Sequence, residues 1–345
     1  MRKLRAALAV VFSLFPLIHA AAQNKELVIY SFVDMFPPEI IRGFEQSSGF
    51  KVRFETFELN EDMLEALEVS EGKGYDLVIS DDYIIEFVIN EGLAQKLNKG
   101  KLSNLGNVDP TYQFQFHDPQ NLYTVPYGAG VMNIVYDPAK VKLDITGYKD
   151  LWSSSLRKSV GVIGNYRVIN GMALKERGKS YNTEEVADIQ AAGGRLKALA
   201  PNIRVIRDTG LEEDLVAGRI SVAVMYTDQV TKSKQENPNL KVVFPSEGIG
   251  FGTMAAFIPR GSANVDGAHR FLNYILDPRR GAQCFEYLGY YCTYKASEQY
   301  IKPELKDFLI MPKFIRNFEM IQNLSQEAEN EHYKIWREFN AAVKP

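Results

Sequence analysis

The fold of this chain is decided by the stretch LVIYSFVDMFPPEIIRGFEQSSG, residues 27–49. Its first four apolar residues predict a buried β-strand. Pro37-Pro38 predicts the entry into a helix, because proline is tolerated in the first helical turn. The connection between them carries Phe32 and the carboxylate Asp34, where a plain loop would favour Gly, Asn or Ser. Since ligands of open α/β sheets bind at the carboxyl ends of strands, we expect this connection to contribute to a binding site.

The same alternation of short apolar strands and helical patterns continues along the chain. The strand KVRFETFE, a helix with Asn60 as its predicted N-cap, the strand YDLVIS and the helix DYIIEFVINEG complete one βαβαβα unit. Residues 141–250 predict a second α/β unit. Strands near Gly128–Met132 and Gly252–Ala255 are expected to cross between the two units. The predicted fold class is therefore α/β, with two doubly wound lobes joined by a hinge and a cleft between them.

The N-terminus has the order of a secretory signal peptide, which we assign to residues 1–22. Basic MRKLR is followed by apolar AALAVVFSLFPLI and the small-residue segment HAAAQ. The apolar run of about 13 residues is shorter than the roughly 20 that a membrane span needs. Because neither cysteine lies near the cleavage region, we expect a periplasmic protein without a lipid anchor.

The remaining chain divides into two discontinuous lobes in this interpretation. Lobe 1 takes residues 23–129 and 255–310, and lobe 2 takes residues 130–254 and 311–345. The C-terminal segment from Pro312 to Ala342 is predicted to be helical.

The charge of the chain argues against a nucleic-acid partner. The net charge is −3, from 40 basic and 43 acidic residues. Loss of residues 1–22 removes three basic residues and no acidic one, which leaves −6. Nucleic acid requires a basic face, whereas an acidic chain is compatible with a cationic ligand.

Catalytic, cofactor and metal motifs are missing from the sequence. The histidines of the mature chain are far apart, with no metal-ligand spacing, and the glycine-rich segments fail the phosphate-loop and dinucleotide patterns. Gly-x-Ser-x-Gly and His-Glu-x-x-His do not occur. We therefore predict no enzyme activity, no cofactor and no metal. The two cysteines, Cys284 and Cys292, are compatible with a disulfide outside the cytosol, but the sequence does not fix their separation.

Several phrases resemble the spermidine/putrescine (polyamine) solute-binding proteins of ABC importers. They include IYSFVDMFPPEIIRGFEQSSGFKV, GYDLVISDDYIIEFVINEGLAQKLNKGKLSNLGNVDP, YTVPYGAGVMNIVYDP and DGAHRFLNYILDPRRGAQCFEYLGY. The resemblance covers nearly all of the mature chain. It implies the type II periplasmic binding fold, closure around a polyamine or related cationic amine, and delivery of that solute to an ABC permease in the inner membrane. We expect a monomer.

In that family, carboxylates hold the amines and aromatic faces hold the methylene chain. When the binding residues of that family are carried over position by position, only some of them match this chain. Acids are expected where this chain has Asn165, Val168 and Met254. Asp81 and Asp228 are candidates to compensate. The candidate ligand-binding residues are therefore Phe32, Asp34, Asp81, Tyr83, Tyr226, Asp228, Tyr290 and Gln322.

Two alternatives stay open at the level of sequence. The same fold would suit a less charged solute, because of the three missing acids; a ferric-iron site at Tyr290-Tyr291 is a weaker variant of this alternative. The chain would also suit an extracytoplasmic sensor or interaction protein that does not take part in transport.

Overall fold

A computed structural model of the chain describes residues 25–312 and 318–343. The predicted signal peptide, residues 1–22, lies outside this range. Within the described residues, no helix combines the length and apolar character needed to cross a membrane.

The structure alternates strands and helices, as the sequence predicts. The strands are β1 (Glu26–Ser31), β2 (Lys51–Thr56), β3 (Leu77–Asp81), β4 (Ala94–Gln95), β5 (Thr124–Tyr136), β6 (Val160–Val162), β7 (Ile203–Ile206), β8 (Val222–Tyr226), β9 (Lys241–Val243), β10 (Ile249–Pro259) and β11 (Phe318–Met320). The helices are α1 (Pro38–Ser48), α2 (Asn60–Ser70), α3 (Asp82–Asn90), α4 (Tyr166–Glu176), α5 (Val186–Leu199), α6 (Leu211–Val216), α7 (Thr227–Glu236), α8 (Val265–Ile275), α9 (Pro278–Leu288), α10 (Lys306–Leu309) and α11 (Gln326–Val343).

The strands form one continuous sheet in the order β2-β1-β3-β10-β5-β8-β6-β7. At one end, β1 pairs in parallel with β2 and β3. At the other end, β6 pairs in parallel with β7 and β8. The antiparallel strands β5 and β10 lie between these two parallel groups. This arrangement is two doubly wound α/β units sharing a central strand pair.

The strands β5 and β10 connect the two units. Residues 124–131 of β5 pair with β10, and residues 132–136 of the same strand pair with β8 in the second unit. β10 pairs with β3 in the first unit, and its register with β5 shifts between Thr253 and Ala255. The chain therefore passes between lobes at the positions expected from the sequence.

The buried side chains form separate cores on the two sides of this junction. Strand β3 and helices α1, α8 and α9 supply residues to one group of clusters, which includes Leu77, Phe44 and Phe271. The other core contains residues of β6, β8, α4, α5 and α11, among them Val224 and Phe339. Helix α11 packs in the same core as β6 and β8, while the exact lobe limits stay a prediction.

Two local expectations need correction, and the question that the sequence left open about the cysteines is answered. Asn60 is the first residue of α2 rather than its cap, since Leu59 has the extended cap conformation. The segment from Pro312 to Ala342 is not one helix, because Phe318–Met320 pairs as a strand with residues 249–251 of β10 and α11 begins only at Gln326. Cys284 and Cys292 are both buried free thiols, so the disulfide is not formed.

Substitution of two neighbouring glycines of α5 tests the close packing of α11 against this helix. A Cβ at Gly193 would lie 2.7 Å from Ile335 Cγ2 on α11, whereas a Cβ at the exposed Gly194 would meet nothing within 4 Å. We predict that Gly193→Ala lowers the free energy of unfolding by about 1–3 kcal/mol through overpacking. Gly194→Ala should leave it unchanged or raise it by about 0.5–1 kcal/mol through helix propensity. Urea denaturation of both variants checks this, and equal effects would contradict the docking.

Candidate functional site

The candidate site lies where strand ends from both lobes meet the junction. Asp81 ends β3 and precedes α3, while Tyr226 ends β8 and Asp228 lies in the first turn of α7. Tyr290 follows α9 and lies against β5. This arrangement follows from the fold, since the carboxyl ends of strands in open α/β sheets face the crevice where ligands bind.

The position of Tyr290 depends on two glycines of β5. A Cβ at Gly130 would lie 3.0 Å from Tyr290 Cε1, and one at Gly128 would lie 3.5 Å from Tyr290 Cβ. Gly128 also has φ +89°, a backbone conformation that favours glycine. The two glycines thus leave room for the Tyr290 ring to pack directly on the interlobe strand.

Tyr290 is the centre of an acidic and aromatic group. Burial raises the pKa of Tyr290 well above its ordinary value, and the nearby Asp228, Asp81 and Tyr226 raise it further. Burial also raises the pKa of Tyr226, with Asp81 and Asp228 again among its electrostatic neighbours and Asn165 as a hydrogen-bonding partner. The structure therefore brings together four of the predicted residues, namely Asp81, Tyr226, Asp228 and Tyr290.

The two carboxylates of this group are held in surroundings that disfavour their charge. Burial raises the pKa of Asp81 to about 6, against the hydrogen bond from Asn60. Burial also raises the pKa of Asp228, while Lys232, whose Nζ lies 3.5 Å from Asp228 Oδ2, opposes the shift. Among the described residues, no basic side chain pairs with Asp81. A cation entering the site would stabilise both charges.

Hydrogen bonds from Asn60 link the side chains of Tyr83 and Asp81. The Asn60 amide donates to Asp81 Oδ2 at 2.8 Å and to the Tyr83 hydroxyl at 3.1 Å, and Tyr83 in turn donates to Glu61 Oε1 at 3.2 Å. Ser80 Oγ donates to the side-chain Oδ1 of Asn60 at 2.7 Å. The sequence indicated Asn60 only as a helix cap, and its part in fixing Asp81 depends on contacts about 20 residues away.

Asp82 has a structural role that the sequence did not reveal. Its Oδ2 accepts the backbone N–H of Thr253 at 2.7 Å, and its Oδ1 accepts the N–H of Tyr83 at 2.8 Å. Burial raises the pKa of Asp82 to about 7, and the neighbouring Asp81 adds to the shift. Asp82 therefore fastens the start of α3 to β10 at the register shift between the lobes.

The other predicted residues are more scattered. Phe32 is half-buried and packs on Phe57, with ring centroids 4.5 Å apart. Asp34 is exposed at φ +58°, and Tyr287 is an electrostatic neighbour of it. Gln322 is exposed, and its backbone rather than its side chain makes the described hydrogen bonds. The described contacts do not join Asp34 or Gln322 to the group around Tyr290, so their ligand roles remain predictions.

The residues at the three positions where acids were expected have structural roles in this chain. Asn165 Oδ1 caps α4 by accepting the N–H of Val168 at 3.1 Å. Val168 is buried in the second-lobe core, and Met254 is buried in the first-lobe core. The packing of these side chains explains how the chain accommodates apolar residues at two of the three positions.

The described residues contain no group of three or more His, Cys, Asp or Glu side chains suited to a metal ion. Tyr291, the neighbour of Tyr290, is buried in an apolar cluster with Val131 and Phe251 at the junction. It packs in this core, in keeping with the common role of such a residue.

Two lobes with a carboxylate and aromatic site between them define a solute-binding protein of the type II periplasmic binding fold. The sequence profile of the bacterial extracellular solute-binding protein family matches residues 39–312. The chain belongs to this family. Its relatives bind solutes for transport, so the chain is a binding protein and not an enzyme.

Individual relatives agree in length and fold. The spermidine/putrescine-binding periplasmic protein of Salmonella typhimurium is 31% identical over 83% of this chain and 82% of its own length. The putrescine-binding periplasmic protein PotF of Escherichia coli is 30% identical over 83% of each. The structure of the spermidine/putrescine ABC transporter substrate-binding protein PotD of Streptococcus pneumoniae superposes with a TM-score of 0.85 at 25% identity, covering 92% of this chain and 99% of PotD. These matches confirm the predicted family and fold class.

The raised pKa of Asp82 gives a pH prediction. The folded protein holds a proton on Asp82 that the unfolded chain releases near pH 4, so this group's stabilisation is full below about pH 4 and is lost as pH rises through about 7. The unfolding free energy of wild type should therefore fall by about 3 kcal/mol relative to that of Asp82→Asn from pH 5 to pH 8.

Denaturant titrations at the two pH values measure this difference. Asp266→Asn is the control, because Lys101 and Arg270 lower the pKa of Asp266 and keep it ionised throughout the window. A wild-type profile that runs parallel to that of Asp82→Asn would contradict the burial effect at Asp82.

Proposed function

We propose that the mature chain is the periplasmic substrate-binding component of an ABC importer that captures a polyamine, such as putrescine or spermidine, or a related cationic amine. The observations that carry the proposal are that Asp81 and Asp228 are electrostatic neighbours of both Tyr226 and Tyr290, and that Asp228 lies against Gly289, the residue before Tyr290. The names of the Salmonella and Escherichia relatives support the same ligand class.

A cationic amine satisfies the electrostatic requirements of this site. Carboxylates that are desolvated without a counter-charge cost free energy, and an ammonium group removes that cost. Each charge-assisted hydrogen bond from the ammonium to Asp81 or Asp228 contributes about 1.5–3 kcal/mol. Among the described residues Asp81 has no basic partner and Asp228 has the exposed Lys232, so an ammonium ligand would complement both acids.

The aromatic residues suit the remainder of such a ligand. The rings of Tyr226 and Tyr290 offer faces to an ammonium, worth about 0.5–2 kcal/mol each, and apolar surface to the methylene chain. Phe32 and Tyr83 extend this lining in the proposal, and Asp34 and Gln322 stay as predicted outer members. Captured solute would pass to a permease in the inner membrane.

The cellular setting is part of the proposal. Residues 1–22 act as a cleaved signal peptide, and the mature protein is a monomer in the periplasm without a lipid anchor or a nucleic-acid partner. The acidic net charge and the periplasmic or extracellular location of the relatives support this setting.

A second candidate is a less charged solute in the same cleft. It is favoured by Val168 and Met254, whose apolar side chains occupy positions where the polyamine-binding relatives are expected to have acids. A neutral diol of the same length as putrescine distinguishes the two candidates, since it fills the same space without an ammonium group. The sensor alternative differs in partners and not in the ligand site.

Calorimetry on the mature protein tests the proposed ligand class. We predict that putrescine or spermidine binds, that 1,4-butanediol does not, and that Asp81→Asn and Asp228→Asn each weaken the bound amine about 10- to 100-fold. Glu65→Gln on the exposed side of α2 removes the same charge away from the site and should leave affinity unchanged. Binding of the diol with affinity equal to that of the diamine would favour the less charged solute.

A further inference from the structure

The segment 321–325, between β11 and α11, is fixed to the second lobe. The backbone oxygen of Gln322 accepts from Arg167 Nη1 at 3.1 Å, and its N–H donates to Asn182 Oδ1 at 2.9 Å. The N–H of Ser325 donates to Glu184 Oε1 at 3.0 Å. These partners lie on or beside α4 and α5, so the segment follows any movement of the second lobe.

Asn323, in the middle of this segment, makes its contacts with the first lobe instead. Its Nδ2 donates to the backbone oxygen of Tyr83 at 2.8 Å and to Glu86 Oε2 at 2.7 Å. Both acceptors lie on α3. The second bond has a carboxylate acceptor, which makes it one of the stronger classes of hydrogen bond.

Helix α3 is the element through which this contact reaches the binding site. It follows Asp81 directly and carries Tyr83, and its first residue, Asp82, is bonded to Thr253 on β10. The helix is thus attached to the interlobe strand at its start and to the second lobe through Asn323 one turn later. Separating the lobes would break the Asn323 bonds and leave the Asp82 bond intact.

We propose that Asn323 is a positioning residue that latches α3 to the second lobe when the cleft is closed and thereby sets the rate at which solute leaves. The inference rests on the proposed function. The residue touches no solute: it acts through the backbone of Tyr83 and the carboxylate of Glu86. The latch forms whenever the cleft closes, with or without solute, and must break before a bound solute departs, so it slows dissociation. Solute enters the open form, in which the latch is absent, so association is unchanged.

Stopped-flow kinetics and small-angle X-ray scattering with putrescine test the latch. Asn323→Ala should raise the dissociation rate about tenfold, leave the association rate unchanged and increase the radius of gyration at saturating ligand. Its urea midpoint without ligand should match that of wild type. Asn330→Ala is the matched control, because Asn330 is exposed on α11 and its side chain bonds only Gln326 among the described contacts.

A pair of substitutions that exchanges the amide and the carboxylate makes the test specific to the Glu86 contact. Asn323→Asp places two carboxylates opposite each other and should raise the dissociation rate more than Asn323→Ala does. Adding Glu86→Gln should restore slow dissociation, since an amide then faces the new carboxylate. A residue that only supported local folding would not show this rescue.

The outcomes separate the latch from the ligand assignment. Normal putrescine binding with unchanged dissociation in both Asn323 variants would overturn the latch and leave the proposed function standing. If the wild type binds none of the amines, the proposed function fails. The latch is then judged on the ligand-free protein: a larger radius of gyration in Asn323→Asp, reversed by Glu86→Gln, supports it, and equal radii overturn it.

Discussion

The antiparallel pairing of β5 with β10 is the constraint on which the rest of the structure depends. β5 pairs with β10 through residue 131 and with β8 from residue 132, so one strand belongs to both lobes. Gly128 and Gly130 on this strand make room for Tyr290, and the backbone N–H of Thr253 on β10 donates a hydrogen bond to Asp82. The binding elements of both lobes are therefore attached to one pair of strands, and a change in that pairing would displace all of them.

The site combines this rigid frame with charges that the protein leaves incompletely balanced. Burial raises the pKa of Asp81, Asp82 and Asp228, which means that their charged forms destabilise the folded protein near neutral pH. Asp82 offsets part of that cost by accepting backbone hydrogen bonds from Tyr83 and from Thr253 on β10. In the proposed function, a solute that brings positive charge to Asp81 and Asp228 would offset the remaining cost.

Regular patterns in the sequence predicted most of the strands and the crossings. The carboxyl ends of the strands and the family resemblance together proposed Asp81, Tyr226, Asp228 and Tyr290, which the structure makes electrostatic neighbours; their ligand roles stay predictions. The roles of Asn60, Asp82 and Asn323 were not predicted, since each depends on a partner between 20 and 240 residues away. Strand β11 was also missed: three residues are too few to show a periodicity, and its pairing with β10 is long-range.

The most direct test of the account is a crystal structure of the mature protein with putrescine bound. We predict that the diamine lies between the lobes, with an ammonium nitrogen in hydrogen-bonding distance of the Asp81 and Asp228 carboxylates and its methylene chain against the rings of Tyr226 and Tyr290. A diamine bound elsewhere on the molecule, or in the cleft with both carboxylates facing away from it, would contradict the central claim.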